Sequence, residues 1–292
     1  MSVITDDAAG GRRRSIAPML VGPATILVVL VLVVPMAILF RYSLNKFIPG
    51  QFMVEAVTVE NYVKFFTDAY YLNVLWTTIQ VAIACTVISL TLAFPVAYFL
   101  ARTTSRHKSL LIILAVFPLM VGNVVRAAGW MVVLGNDGVV NAILQWSGLT
   151  AEPIKLLYTP TAVIIGIIAV VLPYMILTLQ SVLEGIDYSV EEAALNLGAS
   201  PSRTFFRIVF PLAMPGVLAG TVLVFILCMN AYATPVLLGG PQFKMMAPAL
   251  YDQIARSTNW PFGAALAFVL MTATLSLTIV STIFLQLSLI HI

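Results

Sequence analysis

The stretch Glu191–Gly216, EEAALNLGASPSRTFFRIVFPLAMPG, brings two carboxylates, a glycine, a Ser-Pro step and two arginines into a chain that is otherwise nearly uncharged. Its surroundings set the class. Of 292 residues, 61% are hydrophobic and 9% charged, against roughly 25% charged in an ordinary soluble domain. Outward from the stretch, the charge-poor intervals are Ser15–Phe40, Ala69–Ala101, Ser109–Asn136 (interrupted by Arg126), Leu156–Leu183, Ile208–Phe243 and Ser257–Ile290. Each exceeds the ~20 apolar residues that cross a bilayer as a helix. The runs are continuously apolar rather than alternating, so they predict helices and not a barrel. The expected fold is an all-α integral membrane protein with six spans, near 18–40, 74–101, 110–134, 161–183, 214–237 and 263–288, behind a tail over 1–17.

Basic residues orient it. Arg12, Arg13 and Arg14 precede the first span, and Arg102, Arg106 and Lys108 lie between the second and third. The positive-inside rule makes that side cytoplasmic, which puts the quoted stretch and both termini inside. Arg41, Lys46, Lys64, Lys155, Lys244 and Arg256 fall on the other side. The first apolar run is longer than the 7–15 residues of a signal peptide and reads as a retained anchor. The last span ends on LQLSLIHI without a basic flank, compatible with a native or a shortened end.

Several functions are disfavoured by the residues absent. No Asp or Glu lies deep in a span, as the proton or ion relay of a carrier or channel would require. The two histidines, His107 and His291, do not form a metalloprotease pair, and there is no phosphate-binding Gly-Lys-Ser/Thr loop. ATP and Mg, if used, are bound by another polypeptide, and the chain itself is expected to hold no metal or cofactor and to catalyse nothing. Cys85 and Cys228 lie within spans without a ligand at metal spacing and read as small buried residues.

The charged stretch has its own local logic. Ser189-Val-Glu-Glu192 has capping-box spacing, which predicts a helix over about 190–197. Gly198 suits a left-handed turn, and Ser200-Pro201 suits the start of a second helix over about 201–210. On that helix Arg203 and Arg207 are i,i+4 neighbours, with Phe206, Ile208 and Phe210 for apolar contact. Two readings remain on these grounds: a solvated amphipathic connector, or a rigid knob that docks a soluble partner.

Glu192-Ala193-Ala194, Gly198, Ile208 and Pro211, at their spacings, resemble the EAA motif of the permease subunits of binding-protein-dependent ABC importers. Phe210 stands where the motif usually has Leu. VENYVKFF (59–66), AFPVAYFLAR (93–102), NVVRAAGWMVVLGNDGVVN (123–141), LPYMILTLQSVLEGID (172–187) and ATPVLLGGPQ (233–242) are similar to the spermidine/putrescine branch of that family. The resemblance implies a type I (MetI-like) importer permease in the bacterial inner membrane. Its partners would be a second, homologous permease chain, two ATP-binding subunits and a periplasmic solute-binding protein. It assigns the loop over 187–211 as the coupling helix, with Glu191, Glu192, Ala193, Ala194, Gly198, Ala199, Arg203 and Arg207 meeting the ATPase. A polyamine is the substrate implied, with opines, amino-acid derivatives or another small organic solute as the alternative, and an ATP-independent carrier as the reading from a different class. A polycation would favour paired acids and aromatic faces, and the sequence predicts none in the spans.

Candidate pathway residues by position are Asn123, Arg126, Asn230, Tyr232 and Thr234. Arg126 lies about 27 Å along its span from Ser109, where either an interfacial anchor or a pathway role fits. The other polar groups suit helix packing equally. Prolines 35, 95, 118, 173, 215 and 235 permit bending, Gly216 and Gly220 form a small-xxx-small face, and Trp130, Trp146 and Trp260 suit an outer aromatic belt.

Overall fold

The computed structural model describes residues 17–51 and 53–290, with side-chain surroundings over 21–51 and 53–283. The tail over 1–16, with Arg12, Arg13 and Arg14, and the side chains of the final LQLSLIHI lie outside the described residues. The order is α1 Ala17–Ser43, α2 Glu60–Thr67, α3 Ala69–Arg102, α4 Lys108–Val116 with a 3-10 turn Phe117–Met120, α5 Asn123–Leu134, α6 Val139–Trp146, α7 Pro160–Glu184, α8 Tyr188–Asn196, α9 Pro201–Thr204, a π turn Phe205–Val209, α10 Phe210–Leu212, α11 Met214–Met229, α12 Ala233–Leu238, α13 Met246–Tyr251 with a π turn Asp252–Arg256, and α14 Trp260–Ile290. Among the described residues the only strand-like pairing is the bridge Lys46–Val54.

Two expected spans are not single helices. In the third, Pro118 lacks the N–H of a helix interior; the chain tightens into the 3-10 turn, breaks at Val121-Gly122 and restarts at Asn123. The expected span over 214–237 stops at Met229 and resumes at Ala233 after Asn230-Ala231-Tyr232. Irregular backbone at membrane depth is tolerated where it is buried in protein or lines a cavity. Pro35, Pro95 and Pro173 are carried inside continuous helices.

The core is a three-helix unit of α3, α7 and α11. Small residues set its spacing: a Cβ on Gly216 would lie 2.9 Å from Val182 Cβ, and one on Gly220 2.7 Å from Met175 Sδ. The Gly216/Gly220 stripe therefore joins α11 to α7. Cys85 and Cys228 are buried free thiols. Helix α1 packs on α14 and exposes Val28, Leu30, Val31 and Leu32, as a lipid-facing helix does. Its following loop is tied down by Asn61, which donates to the carbonyls of Ser43 (2.8 Å) and Asn45 (2.9 Å). On the same face Asn141 accepts from Ile154 N (2.9 Å) and donates to Gly135 O and Ile154 O, both at 3.0 Å.

The two ends of α3 mark the two faces of the molecule. Tyr98 and Arg102 meet the charged loop, while Tyr71 meets Gln253 and the Phe262 ring. At 1.5 Å per residue those ends are about 46 Å apart.

Candidate coupling loop and translocation cavity

The charged loop is a helix, a tight turn and a second helix. Its first cap differs from the expected one: α8 begins at Tyr188, and Asp187, not Ser189, is the N-cap, accepting from Ser189 N at 2.9 Å. The Asp-Tyr-Ser order places an Asx acceptor two residues before an N–H, a local bond that forms ahead of the capping box. That donated N–H holds the Asp187 carboxyl below its ordinary range. At the far end Gly198 has φ +85°; its N–H bonds Leu195 O (2.9 Å) and Ala199 N bonds Ala194 O (3.1 Å). This is the complete Schellman closure. Ser200 then accepts from Arg203 N at 3.3 Å, with Pro201 in the first turn.

The second helix widens into the π turn just before Pro211, whose ring would clash with the carbonyl four residues back in an unbroken α-helix. The widening aims Phe205 and Phe210 at Phe94 of α3, with ring centroids 5.3 and 5.6 Å away, and Phe205 at Tyr98, 5.7 Å away. Phe206, expected to offer apolar contact, points outward at 67% exposure, as does Leu197 at 89%. Glu192, Ala193, Gly198, Arg203 and Arg207 are exposed with them, and Ala199 is half-buried.

Glu191 and Ala194 face the other way and are buried, so neither presents its side chain at the surface of the loop. Glu191 Oε1 lies 2.6 Å from Arg102 Nη2, with the two side chains 5% and 15% exposed. The N–H is not aligned on that oxygen; the aligned bond comes from Tyr98 Oη to Glu191 Oε2 at 2.6 Å. Arg102 also donates to Ile186 O (3.0 Å) and lies over the Tyr188 ring. Beside it, Lys108 pairs with Glu184 at 2.8 Å and links α4 to α7. The hairpin is thus fixed to α3 by one buried ion pair and an aromatic cluster. In the sequence Arg102 reads only as a basic flank, and the one hint of its partner is that the glutamate is doubled.

About 24 Å beyond Met214, the broken helix opens onto a cavity of ≈ 280 Å³. Asn123, Asn230, Tyr232 and Thr234 all line it, together with Tyr174. Four of the five residues singled out by position therefore meet, although three belong to one segment and Asn123 comes from α5. None of the lining residues carries a charge. The fifth, Arg126, is not among them. Its Nη2 donates to Pro118 O and to Val121 O (2.7 Å), tying together two backbone carbonyls at the break; Pro118 O also accepts from Val121 N (3.3 Å). Tyr174 was missed because a lone tyrosine in an apolar span has no periodic signature; with Tyr232 it supplies aromatic faces not expected in the spans. Asn230 bonds back to Ile226 O at 2.9 Å, and Thr234 Cγ2 packs where a Cβ of Gly166 would come within 2.6 Å. Among the described residues there is no group of His, Cys, Asp and Glu able to hold a metal ion.

This geometry can be set beside known proteins. Residues 82–288 match the family described as binding-protein-dependent transport system inner membrane component. The chain belongs to this family. It is 34% identical over 252 residues to the spermidine/putrescine transport system permease protein PotB of Salmonella typhimurium, covering 83% of this chain and 88% of the relative. It is 35% identical over 218 residues to the protein of the same name from Haemophilus influenzae, covering 75% and 76%. Among solved structures, a bacterial ABC transporter involved in the import of the acidic polysaccharide alginate superposes with TM-score 0.77 at 16% identity, over 93% of this chain and 94% of that one. The same kind of transporter in complex with an alginate pentasaccharide-bound periplasmic protein gives 0.75 at 16% identity, over 90% and 91%. At that identity the match concerns the fold. This permease is a multi-pass inner-membrane component with the importer-permease fold.

Proposed function

We propose that this permease forms half of the translocation pathway of a polyamine importer of the ABC class, with a second permease chain, two ATPase subunits and a periplasmic solute-binding protein as its partners. The relatives named for spermidine and putrescine support the substrate class. The observation that carries the mechanism is the hairpin over 187–211, exposed at its tip and clamped at its base. Leu197, Phe206, Arg203 and Arg207 offer a mixed apolar and cationic surface to a cleft in an ATPase, with Glu192, Ala193 and the Gly198 turn at the contact. Mg-ATP is bound and hydrolysed on that partner. A displacement of the tip passes through Glu191–Arg102 and Phe205–Phe94 to α3, and from α3 to α7 and α11, which pack on it. The break at Asn230–Tyr232 then lets the cavity change its access.

The cavity suits a polycation in transit. Tyrosine faces and side-chain oxygens attract ammonium groups, while the lack of a carboxylate avoids a trap from which a multivalent cation leaves slowly. Selectivity resides chiefly in the binding protein.

The test is reconstitution of the whole assembly in proteoliposomes with labelled spermidine inside the binding protein. ATP-dependent uptake is expected. Uptake by this permease alone, without an ATPase, refutes the coupling mechanism; ATP-dependent uptake of an opine or amino acid but not of spermidine refutes the substrate.

A further inference from the structure

On the face opposite the coupling loop lies a second cavity of ≈ 550 Å³, whose lining includes Tyr158, Tyr232, Lys244, Asp252 and Arg256. Tyr232 lines both this vestibule and the inner cavity. The two spaces therefore share one side chain and lie side by side. Tyr232 also stacks on Tyr251, centroids 5.0 Å apart.

Asp252 is the one carboxylate among the vestibule's lining residues. It sits at the start of the π turn Asp252–Arg256. Lys244 Nζ lies 3.0 Å from its Oδ2, and Arg256 Nε 3.2 Å from its Oδ1. Lys244 and Asp252 are each 27% exposed and Arg256 70%, so these are wet pairs that hold weakly. What occupies Asp252 is a primary ammonium on a flexible four-carbon stem. That is the same chemical group, on a chain of the same kind, as the end of a polyamine. Tyr158 and Tyr232 line the same cavity.

We propose that Asp252 is an outer ammonium subsite, and that Lys244 is a tethered competitor which occupies it until a substrate ammonium takes its place. The inference rests on the polyamine reading above. Exchange of one ammonium for another keeps the carboxylate paired, and the displaced Lys244 ammonium, whose side chain is 27% exposed, turns to water. The exchange hands an extended cation on toward Tyr232 and the neutral cavity without leaving an unpaired acid behind. Arg256, too exposed and too broad to mimic the substrate, keeps the carboxylate oriented.

A structural staple and an exchange site differ in the sign of one comparison. In the reconstituted importer, spermidine uptake is measured at a fixed, sub-saturating concentration of loaded binding protein, with co-purification of the ATPase as the check on assembly. Asp252→Asn is expected to lower uptake by up to about fivefold, the upper end for one solvated ion pair, and Asp252→Glu to restore part of it. Lys244→Met, which breaks the same ion pair but frees the carboxylate, is expected to raise uptake. If Lys244→Met falls together with Asp252→Asn, the pair is a staple and the subsite is overturned; an Asp252→Asn importer with wild-type uptake overturns it as well. A wild-type importer that moves no spermidine while its ATPase responds to the binding protein overturns the polyamine reading, and the subsite with it.

Discussion

Replacing Glu191 with Gln tests how the hairpin is held. The amide still accepts from Tyr98 but removes the charge that faces Arg102, whose side chain is 15% exposed. Removing one partner of a buried pair costs about 3–5 kcal/mol; retention of the Tyr98 bond and of the Arg102 contacts to Ile186 O and the Tyr188 ring places Glu191→Gln at the lower end. At roughly 2–4 °C per kcal/mol, the melting midpoint of the detergent-solubilised complex is expected to fall by roughly 6–12 °C. Arg102→Met alone strands Glu191 and behaves similarly. The double variant Glu191→Leu with Arg102→Met restores part of the loss: two apolar side chains need no counter-charge, but the Tyr98 hydroxyl is left without its acceptor and the Ile186 carbonyl without its donor, about 1 kcal/mol each. The functional readout is ATP hydrolysed per solute imported, which rises in each single variant while the ATPase still co-purifies. If the single variants melt like the wild type, or their losses add in the double, the two side chains are not coupled and the transmission route through α3 is wrong.

Gly198→Val places a β-branched residue at φ +85°, a conformation costing roughly 1–2 kcal/mol, in open space where nothing lies within 4 Å of the new Cβ; membrane insertion is expected to stay intact while pull-down of the ATPase weakens, and normal pull-down contradicts the docking role. Glu192→Gln leaves the helix cap untouched, since Asp187 provides it, so any loss of transport reports the contact with the ATPase and unchanged transport removes Glu192 from that contact. Asp187 carries a lowered pKa, so its stabilising contribution is present above its ordinary 3.8 and disappears as pH falls through the folded value; Asp187→Asn is expected to flatten the acid limb of the melting profile, and an unchanged limb contradicts the cap. Gly166→Ala drives a methyl within 2.6 Å of Thr234 Cγ2 and 2.9 Å of Leu238 Cδ2, costing about 1–3 kcal/mol, and adding Thr234→Ser is expected to recover part of that in a thermal melt; no recovery sinks the close-packing account.

The membrane class and the hairpin were legible because they rest on local chemistry: continuous apolar runs, a glycine at a helix end, and Ser-Pro at a helix start. The breaks were not. Pro118 gave notice of one, but Pro95 and Pro173 sit in helices that continue through them, so proline alone does not say where a span divides. Nothing in Asn230-Ala231-Tyr232 forbids a helix; the helix that resumes after it, α12, packs on α5 and α7. The roles of Glu191 and Arg102 were hidden for a different reason. They are 89 positions apart, and only the fold makes a basic flank and the first of two glutamates into a pair. Arg126 shows the converse: its position fitted an interfacial anchor or a pathway, while two backbone carbonyls at a neighbouring break claimed it.

The glycine contacts at α7 and α11 also say where this protein is able to flex. Gly216 and Gly220 bring those helices too close for one to slide past the other without collision, and α3 packs on both. Distances measured by spin labels within α3, α7 and α11 are therefore expected to stay constant through a transport cycle. Deformation is left to the 65° bend between Leu212 and Met214 and to the three residues Asn230-Ala231-Tyr232. A label pair astride either joint reads the working stroke of the permease, and a pair inside the triplet serves as its internal ruler.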